Sequence, residues 1–183
     1  MRAGPAPEEA PIVSALVQTP LGPMAAASVD QGLCLLEFTE PPRLQAQLRR
    51  MSARLRRPVA QGGHPHLDRL REELGAYFAG ELRAFTVPLF TPGTPFQELV
   101  WRTLQGIRYG EVVSYEALAE RIGRPAAFRA VGRANGMNPV SILVPCHRVV
   151  NKNGNLCGYG GGLWRKRALL DLERTGTWTP EPR

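Results

Sequence analysis

Apolar residues come in short blocks over the first third of the chain. Residues 12–19, 24–28 and 33–38 are mostly apolar, and turn-forming residues such as Asp30-Gln31-Gly32 separate them. Short apolar stretches bounded by Pro, Gly and Asp are typical of β-strands. This pattern predicts a β-meander of three strands, with a further strand over residues 84–89.

Two other segments repeat with the period of an α-helix. In residues 43–55 and 67–78 apolar side chains recur every three or four positions, which places them on one helix face. They are Leu44, Leu48, Met51 and Leu55 in the first segment and Leu67, Leu70, Leu74 and Phe78 in the second. We therefore predict a small α/β domain over residues 12–89. A disordered, Pro- and Gly-rich leader at 1–11 precedes it, and a linker at 90–93 follows it.

Helix-start signals dominate the second half. Thr94-Pro95-Phe96-Gln97 is a capping box with Pro at the first helical position, and it predicts a helix over residues 94–104. Ser114 is a suitable N-cap for a helix over residues 115–122, and another helix is predicted over 125–134. These two short helices, joined by a turn that contains Gly and Pro, have the outline of a helix-turn-helix.

An apolar run at residues 140–144 predicts a buried strand that leads directly into Pro145-Cys146-His147-Arg148. A final helix is predicted over residues 163–172. The mainly helical C-terminal domain therefore spans residues 94–175, and residues 176–183 form a tail. The predicted fold class is α+β: a small N-terminal sheet and helix domain followed by a helical domain.

The net charge of +7 is concentrated in the second half. Residues 1–93 carry 10 basic and 9 acidic side chains, whereas residues 94–183 carry 13 and 7. Nine basic residues and no acidic residue lie between Arg121 and Arg167. Such a one-sided window usually faces a polyanion, and nucleic acid is the commonest one.

Composition also argues against several classes of protein. No apolar run approaches the roughly 20 residues of a membrane span, and residues 1–11 lack the apolar core of a signal peptide. Three cysteines are too few for a disulfide framework, and no zinc-binding spacing occurs. His64 and His66 are interpreted as surface residues in a Gly- and Pro-containing loop. We expect a cytoplasmic protein without a metal or cofactor.

Cys146 is the candidate nucleophile. A nearby imidazole or guanidinium lowers the pKa of a thiol, and a His and an Arg follow this cysteine directly. Consecutive residues of an extended chain point to opposite faces, so adjacency alone does not put His147 against the sulfur, and a water between the two is one route. Either Glu173 or Asp171 would orient its ring. The other two cysteines lack such a setting and are interpreted as inert: Cys34 and Cys157.

The residues around Cys146 resemble a known family. Asn138-Pro139-Val140…Val144-Pro145-Cys146-His147-Arg148-Val149 closely resembles the active-site motif of the O6-alkylguanine-DNA alkyltransferases, or methylated-DNA–protein-cysteine methyltransferases. The resemblance covers about residues 94–175. It includes Gly110-Glu111-Val112-Val113-Ser114-Tyr115, Arg129-Ala130-Val131-Gly132 and Gly158-Tyr159-Gly160-Gly161-Gly162-Leu163. The N-terminal part matches the ribonuclease-H-like domain of that family only in outline. The style of the motif around Cys146 resembles that of the bacterial members.

The resemblance implies a role for each matching residue. Cys146 is the implied alkyl acceptor, His147 its water-linked base and Glu173 the carboxylate that orients His147. Asn138 would brace the active-site turn, and Tyr115 would support the guanine leaving group and crowd the phosphate 3′ to the lesion. The pocket for the alkylated base would be lined by Asn138, Val149, Tyr159 and Gly160. Gly160 lacks the side chain that some relatives place there, so only its backbone N–H carries over.

The implied partner is duplex DNA that contains O6-alkylguanine or O4-alkylthymine. The family binds the minor groove and flips the damaged nucleotide out of the stack. Arg129 would fill the resulting gap, on a helix kept slim by Ala130 and Gly132. Phosphate contacts would come from Arg133, Arg148 and the cluster Arg165-Lys166-Arg167. A thioether on Cys146 has no hydrolysis route, so each molecule would act once. We expect a monomer, which either acts alone or assembles cooperatively on DNA.

Three alternatives belong to other classes. A damage-recognition module without transfer activity resembles the family, but such proteins typically carry tryptophan where this chain has Cys146. A Cys-His hydrolase would turn over many times and gives no reason for the basic, helix-turn-helix-like segment. A transcriptional regulator that senses its own alkylation usually needs a cysteine-rich sensor domain, which this sequence lacks.

Overall fold

A four-stranded sheet forms the N-terminal part of the computed structural model, which describes residues 10–40 and 42–178. The sheet order is β3-β2-β1-β4. Its strands are β1 (Ile12–Val17), β2 (Met24–Val29), β3 (Gly32–Phe38) and β4 (Val59–Gln61). β1, β2 and β3 pair antiparallel, which confirms the predicted meander, while β4 pairs parallel to β1. β4 was not predicted, because it is three residues long and exposed and has no period-2 pattern.

Two helices pack against this sheet. α1 (Arg43–Leu55) has the predicted bounds, and α2 (Pro65–Phe78) begins two residues before the predicted start. Met51 of α1 packs against one set of sheet residues: Ile12, Ala27, Val29, Cys34 and Leu35. The apolar residues of α2 join a larger cluster that includes Leu33 and Leu36 of β3 and continues into the C-terminal helices. The core of the molecule is therefore continuous from the sheet to those helices.

Four helices and a two-stranded pair form the C-terminal part. They are α3 (Pro95–Gln105), β5 (Val113–Ser114), α4 (Tyr115–Arg121), α5 (Phe128–Gly136), β6 (Val149–Val150) and α6 (Leu163–Thr175). The capping box at Thr94 is confirmed, since its hydroxyl accepts from Gln97 N while the Gln97 side chain accepts from Thr94 N. Ser114 likewise caps α4 by accepting from Ala117 N. Pro125 begins a short 3₁₀ turn rather than the α-helix itself, which starts at Phe128.

Two predicted strands are wrong. Residues 84–89 form no strand; only Leu89 bridges to Leu33, where the Leu33 N–H donates to Pro88 O and the Phe90 N–H donates to Leu33 O. Residues 140–144 form a turn in which only Val140 bridges to a strand residue, Leu36. Both segments bond to the outer edge of β3 through single bridges and not through a ladder, so the apolar runs indicated burial but not extended structure.

The edge of β3 positions the segment that leads to Cys146. The Leu36 N–H donates to Pro139 O at 2.9 Å, and the Ser141 N–H donates to Leu36 O at 2.8 Å. The N-terminal sheet thus docks the turn that carries the candidate nucleophile. The predicted leader lies mostly outside the described residues, as does most of the predicted tail. Within the described ranges, no helix is long and apolar enough to cross a membrane.

Candidate active site

Cys146 begins a short 3₁₀ turn and is not at the end of a strand. The Leu143 N–H donates to Ser141 O, which closes a three-residue turn around Ile142 at φ 73°. A second such turn surrounds Pro145, where the Cys146 N–H donates to Val144 O at 2.7 Å. A positive φ at a β-branched residue is strained. The chain therefore needs external bonds to hold Cys146 in place.

Asn138 supplies those bonds. Its side-chain Nδ2 donates to Val140 O at 3.3 Å and to Val144 O at 2.8 Å, while its Oδ1 accepts from the Val140 N–H at 2.9 Å. Asn138 is fully buried, and its own backbone carbonyl accepts from Gln47 Nε2 of α1 at 2.9 Å. One amide side chain thus spans the turn before Cys146, which is the bracing position that the resemblance implies.

A buried histidine–carboxylate pair lies next to Cys146. His147 Nε2 is 2.8 Å from Glu173 Oε1, and neither side chain is exposed. Because a carboxylate only accepts hydrogen bonds, Nε2 carries the proton and Nδ1 has the free lone pair. Nδ1 is buried and has no hydrogen-bond partner within the described chain. Of the two candidate carboxylates, the structure selects Glu173, since Asp171 pairs with Arg174.

Glu173 accepts hydrogen bonds from four other donors as well. Arg148 donates from Nε to Oε2 at 2.8 Å and from Nη2 to Oε1 at 2.9 Å. The Gly110 N–H donates to Oε2 at 3.1 Å, and the Tyr77 hydroxyl donates to Oε1 at 2.7 Å. The bidentate guanidinium of Arg148 balances the negative charge of Glu173, so a positive charge on His147 is not required.

Burial controls the protonation of this cluster. Burial lowers the pKa of His147, although its bond to Glu173 acts in the opposite direction, so the imidazole is neutral near pH 7. Burial alone would raise the pKa of Glu173, but His147 and Arg148 together bring it well below its ordinary value. Burial raises the pKa of Cys146, and the Asn138 hydrogen bond partly offsets this. Arg43 and Lys166 also lower this pKa, and burial outweighs them.

Tyr115, Tyr159 and Gly160 are the remaining residues that were predicted to contact the alkylated base. The Tyr115 hydroxyl lies beside the thiol of Cys157, and burial raises its pKa. The Tyr159 hydroxyl is buried, without a hydrogen-bond partner among the described residues. A Cβ on Gly160 would lie 2.1 Å from Arg43 Nε. The α1 arginine thus occupies the space where some relatives carry a side chain.

Several further residues hold this site. Tyr77 and Asn135 had no predicted role in it, whereas Lys166 was predicted to contact phosphate. Tyr77 of α2 bonds Glu173, Lys166 Nζ donates to Val149 O at 2.5 Å and to Cys157 O at 2.7 Å, and Asn135 Nδ2 donates to Cys146 O at 3.4 Å. Val149 was predicted to line the base pocket, and its carbonyl oxygen accepts this bond from Lys166. For Tyr77 a signal existed, because a tyrosine on an apolar helix face needs a partner for its hydroxyl.

The surface of α5 carries the residues assigned to DNA. Arg129 and Arg133 are exposed, and the Arg129 guanidinium lies 5.5 Å from the centroid of the Phe128 ring. Ala130 and Gly132 are half-buried. A Cβ on Gly132 would come within 3.6 Å of the Tyr115 ring, which is ordinary contact, so α5 packs closely over Tyr115. These four residues all lie on α5.

The predicted phosphate contacts of Arg148, Arg165 and Lys166 need correction. Arg148 is buried against Glu173 and also donates from Nη1 to Ile107 O at 2.6 Å. Arg165 is buried and donates to Leu21 O, Gly161 O and Glu40. Lys166 is fully buried. The N–H donors of these three side chains bond to groups inside the protein, so they are not available to phosphate. In the cluster Arg165-Lys166-Arg167, only Arg167 is exposed.

The remaining candidate groups lie away from this site. Burial raises the pKa of Cys34 to about 12, and its thiol donates to Ala27 O in the sheet. His64 caps α2, and His66 Nε2 lies 3.1 Å from Asp30 O. No group of three or more His, Cys, Asp or Glu side chains that could hold a metal ion occurs in the part of the chain that the structure describes.

Comparison with known proteins agrees with this geometry. Two family models match the chain: the 6-O-methylguanine DNA methyltransferase ribonuclease-like domain over residues 12–91, and the DNA binding domain of the same family over residues 95–175. The methylated-DNA–protein-cysteine methyltransferase of Shigella flexneri is 46% identical over 162 residues, which are 86% of this chain and 92% of that protein. The protein of the same name from Mycolicibacterium paratuberculosis is 61% identical over 103 residues. That match spans 56% of this chain and 62% of the relative's length.

The structure resembles a solved protein–DNA complex. The crystal structure of Mycobacterium tuberculosis OGT in complex with DNA aligns with a TM-score of 0.76 and 42% identity, covering 90% of this chain and 94% of the other. Fold and site together define an α+β protein with a buried cysteine backed by a histidine–carboxylate pair. The chain belongs to the methylated-DNA–protein-cysteine methyltransferase family.

Proposed function

We propose that this protein repairs DNA by moving the alkyl group of O6-alkylguanine onto Cys146. The observation that carries the proposal is the buried series of Cys146, His147 and Glu173, held by the Asn138-braced turn. The names of the relatives support it, because they describe methyl transfer from DNA to a protein cysteine. O4-alkylthymine is a second substrate that the same chemistry accommodates.

The transfer follows from the protonation states of the site. The Cys146 thiol gives its proton, through a bridging water, to the free Nδ1 of His147, whose Nε2 proton stays bonded to Glu173. The thiolate Sγ then attacks the alkyl carbon in line, an S–C bond forms and the C–O6 bond breaks. Guanine leaves as an anion with the electrons of the C–O6 bond, accepts a hydrogen bond from Tyr115, and takes up the proton that His147 received, through the same water. The thioether is stable, so the protein acts once.

The proposed DNA contact uses α4 and α5 as a helix-turn-helix. α5 enters the minor groove, the alkylated nucleotide rotates out of the stack, and Arg129 fills its place. Arg133 contacts phosphate. We further propose two domains, over residues 12–89 and 94–175, in a monomer that works in the cytoplasm, where a reducing environment keeps Cys146 as a free thiol.

Intact-mass spectrometry tests this function. After incubation with duplex DNA that contains O6-methylguanine, one methyl group adds roughly 14 Da, and peptide mapping is expected to place it on the Cys146 peptide. Cys146→Ser is expected to abolish transfer and to leave lesion binding measurable. The matched controls Cys34→Ser and Cys157→Ser keep the transfer. A label on Cys157, or lesion binding by the wild type without any mass change, contradicts the proposal and favours the damage-recognition alternative.

A further inference from the structure

The first helix carries positive charge that the active site does not use. Residues 43–57 contain six arginines and no acidic residue, although the first half of the chain is almost neutral. Four of these arginines are exposed and make no side-chain hydrogen bond or ion pair within the described residues: Arg49, Arg50, Arg54 and Arg56. Like charges packed along one helix repel each other, so the surface is suited to an anionic partner.

Some of these arginines lie on the face of α1 that meets the C-terminal part. Arg43, Gln47, Arg50 and Arg54 follow one another at i, i+4, i+7 and i+11, which places them in one stripe along the helix. The first two members bond the end of α5 and the segment after it. Arg43 Nη1 donates to Gly136 O at 2.9 Å, and Gln47 Nε2 donates to Asn138 O at 2.9 Å. The stripe therefore continues from the end of α5.

The last two members of the stripe line an open groove. Arg50 and Arg54 share a cavity of about 510 Å³ with Thr94 and Gln97, at the start of α3, and with Met137, directly after α5. Among the described residues that line this groove, none is acidic. The groove thus combines two unpaired guanidinium groups with a wall that adjoins the proposed DNA-binding helix.

We propose that Arg50 and Arg54 bind the phosphodiester backbone of duplex DNA beside the lesion. This inference rests on the proposed function and extends the DNA contact from α5 to the N-terminal domain. Guanidinium groups match phosphate oxygens in a bidentate geometry. From Arg43 to Arg54 the helix rises about 16 Å, at 1.5 Å per residue. That rise corresponds to roughly five base pairs, so the contacted phosphates lie on one flank of the damaged site.

The salt dependence of DNA binding tests the proposal. Each phosphate contact contributes about 0.9 to the slope of log K against log salt concentration. The double variant Arg50→Gln/Arg54→Gln is expected to reduce the slope by roughly two. Between 50 and 200 mM salt the wild type then loses about tenfold more affinity than the variant. Arg49→Gln is the matched control, because Arg49 is an exposed arginine on the same helix that does not line the groove.

The substrates identify where the contact lies. Binding is measured on undamaged and on O6-methylguanine duplexes, with each flank shortened in turn. Shortening one flank is expected to remove the difference between the wild type and the double variant, and shortening the other is expected to leave it. Equal slopes for the double variant and the wild type overturn the proposal, as does an equal loss in Arg49→Gln. A changed sedimentation coefficient of the free protein with an unchanged slope shows a contact between copies instead.

The proposed function is checked separately in the same samples. Intact mass reports whether the wild type takes up a methyl group on Cys146. If it takes up none while the slopes still differ, the transfer function fails and the α1 contact stands. If methyl transfer occurs and the slopes are equal, only the α1 contact fails.

Discussion

The hydroxyl of Tyr77 donates a 2.7 Å hydrogen bond to Glu173 Oε1 across 96 residues of sequence. Both side chains are buried, and the same oxygen accepts from His147 and Arg148. Tyr77 lies on α2, whereas Glu173 lies on α6. A side chain of the N-terminal part thus bears directly on the carboxylate that orients His147, so the sheet and its helices contribute to the site as well as supporting it.

Tyr77→Phe is expected to slow methyl transfer by about tenfold, the equivalent of ~1.4 kcal/mol in the barrier. With one donor fewer, the charge on Glu173 is less stabilised and attracts a proton on His147 more strongly. The acidic limb of the pH–rate profile therefore shifts to higher pH. Single-turnover transfer across a pH series measures both effects. Tyr109→Phe is the control, because its hydroxyl donates only a 3.4 Å bond to Leu172 O. A lower rate with an unmoved pH profile contradicts a positioning role for Tyr77.

Glu173→Gln tests the histidine–carboxylate pair itself. An amide keeps the shape but loses the charge, and a positioned base contributes on the order of 10²–10⁴-fold in rate. Transfer at neutral pH is expected to fall by more than any change in DNA affinity explains. Pre-steady-state transfer and equilibrium binding, measured on the same duplex, separate the change in transfer rate from the change in DNA affinity. Asp171→Asn is the matched control, since Asp171 lies two residues away and pairs with exposed Arg174. An unchanged transfer rate in Glu173→Gln shows that the pair does not act on Cys146.

Arg148→Met is expected to lower the free energy of unfolding by about 3–5 kcal/mol, because it leaves the Glu173 charge buried with fewer donors. Urea denaturation measures this loss. Arg133→Met, on the exposed face of α5, is expected to leave the denaturation midpoint unchanged and to lower DNA affinity instead. The opposite pattern, a stable Arg148→Met protein with weaker DNA binding, would restore Arg148 to the DNA surface.

Arg148 illustrates the limit of prediction from the sequence. Local signals predicted the bounds of α1, the capping box of α3 and the N-cap of α4, because each depends on residues within one or two turns. The basic composition of residues 121–167 does not indicate which of these side chains face solvent and which are buried. Whether a basic side chain faces solvent depends on partners that fold against it from afar. For Arg148 the partner is Glu173, and for Arg165 it includes Leu21 O.

The backbone of residues 140–144 illustrates the same limit of prediction from the sequence. Its apolar composition is compatible with a buried strand or a buried turn. The turn forms because Asn138 satisfies its carbonyls and because Leu36 at the edge of β3 pairs with its start. The family motif identified Asn138 and Cys146 without revealing this geometry. Tyr77 and the arginine stripe of α1 lie outside that motif, so only the three-dimensional structure shows their contacts. Lys166 was predicted to bind phosphate, and the fold instead buries it against Val149 O and Cys157 O.

Stability is expected to fall as the pH falls below about 6.5, because His147 stays neutral when folded but takes up a proton when unfolded. The folded pKa is lowered, so the stabilising contribution is present above the unfolded pKa and is lost on acidification. Its slope reaches at most about 1.4 kcal/mol per pH unit. Glu173 adds a second loss below about pH 4.5. Urea midpoints for the wild type and His147→Asn between pH 8 and 5 isolate the first loss, and identical pH dependences would exclude it.

Arg129 and Arg133 lie one turn apart on α5, and their substitution by alanine separates DNA positioning from nucleotide extrusion. Arg133→Ala removes the phosphate contact proposed for this side chain, so binding to damaged and undamaged duplex is expected to weaken alike, with the salt slope lower by roughly one.

Arg129→Ala is expected to leave ground-state affinity nearly unchanged, because the role proposed for this side chain is to stabilise only the state in which the nucleotide has left the stack. Extrusion costs a few kcal/mol, and each ~1.4 kcal/mol lost from its stabilisation slows transfer tenfold. Transfer from duplex DNA therefore falls by about tenfold or more. Transfer from the free O6-methylguanine base, which needs no extrusion, serves as the internal reference and stays near the wild-type rate. Equal losses on duplex and free base would instead place Arg129 in the pocket around Cys146, and the gap-filling role would have to be abandoned.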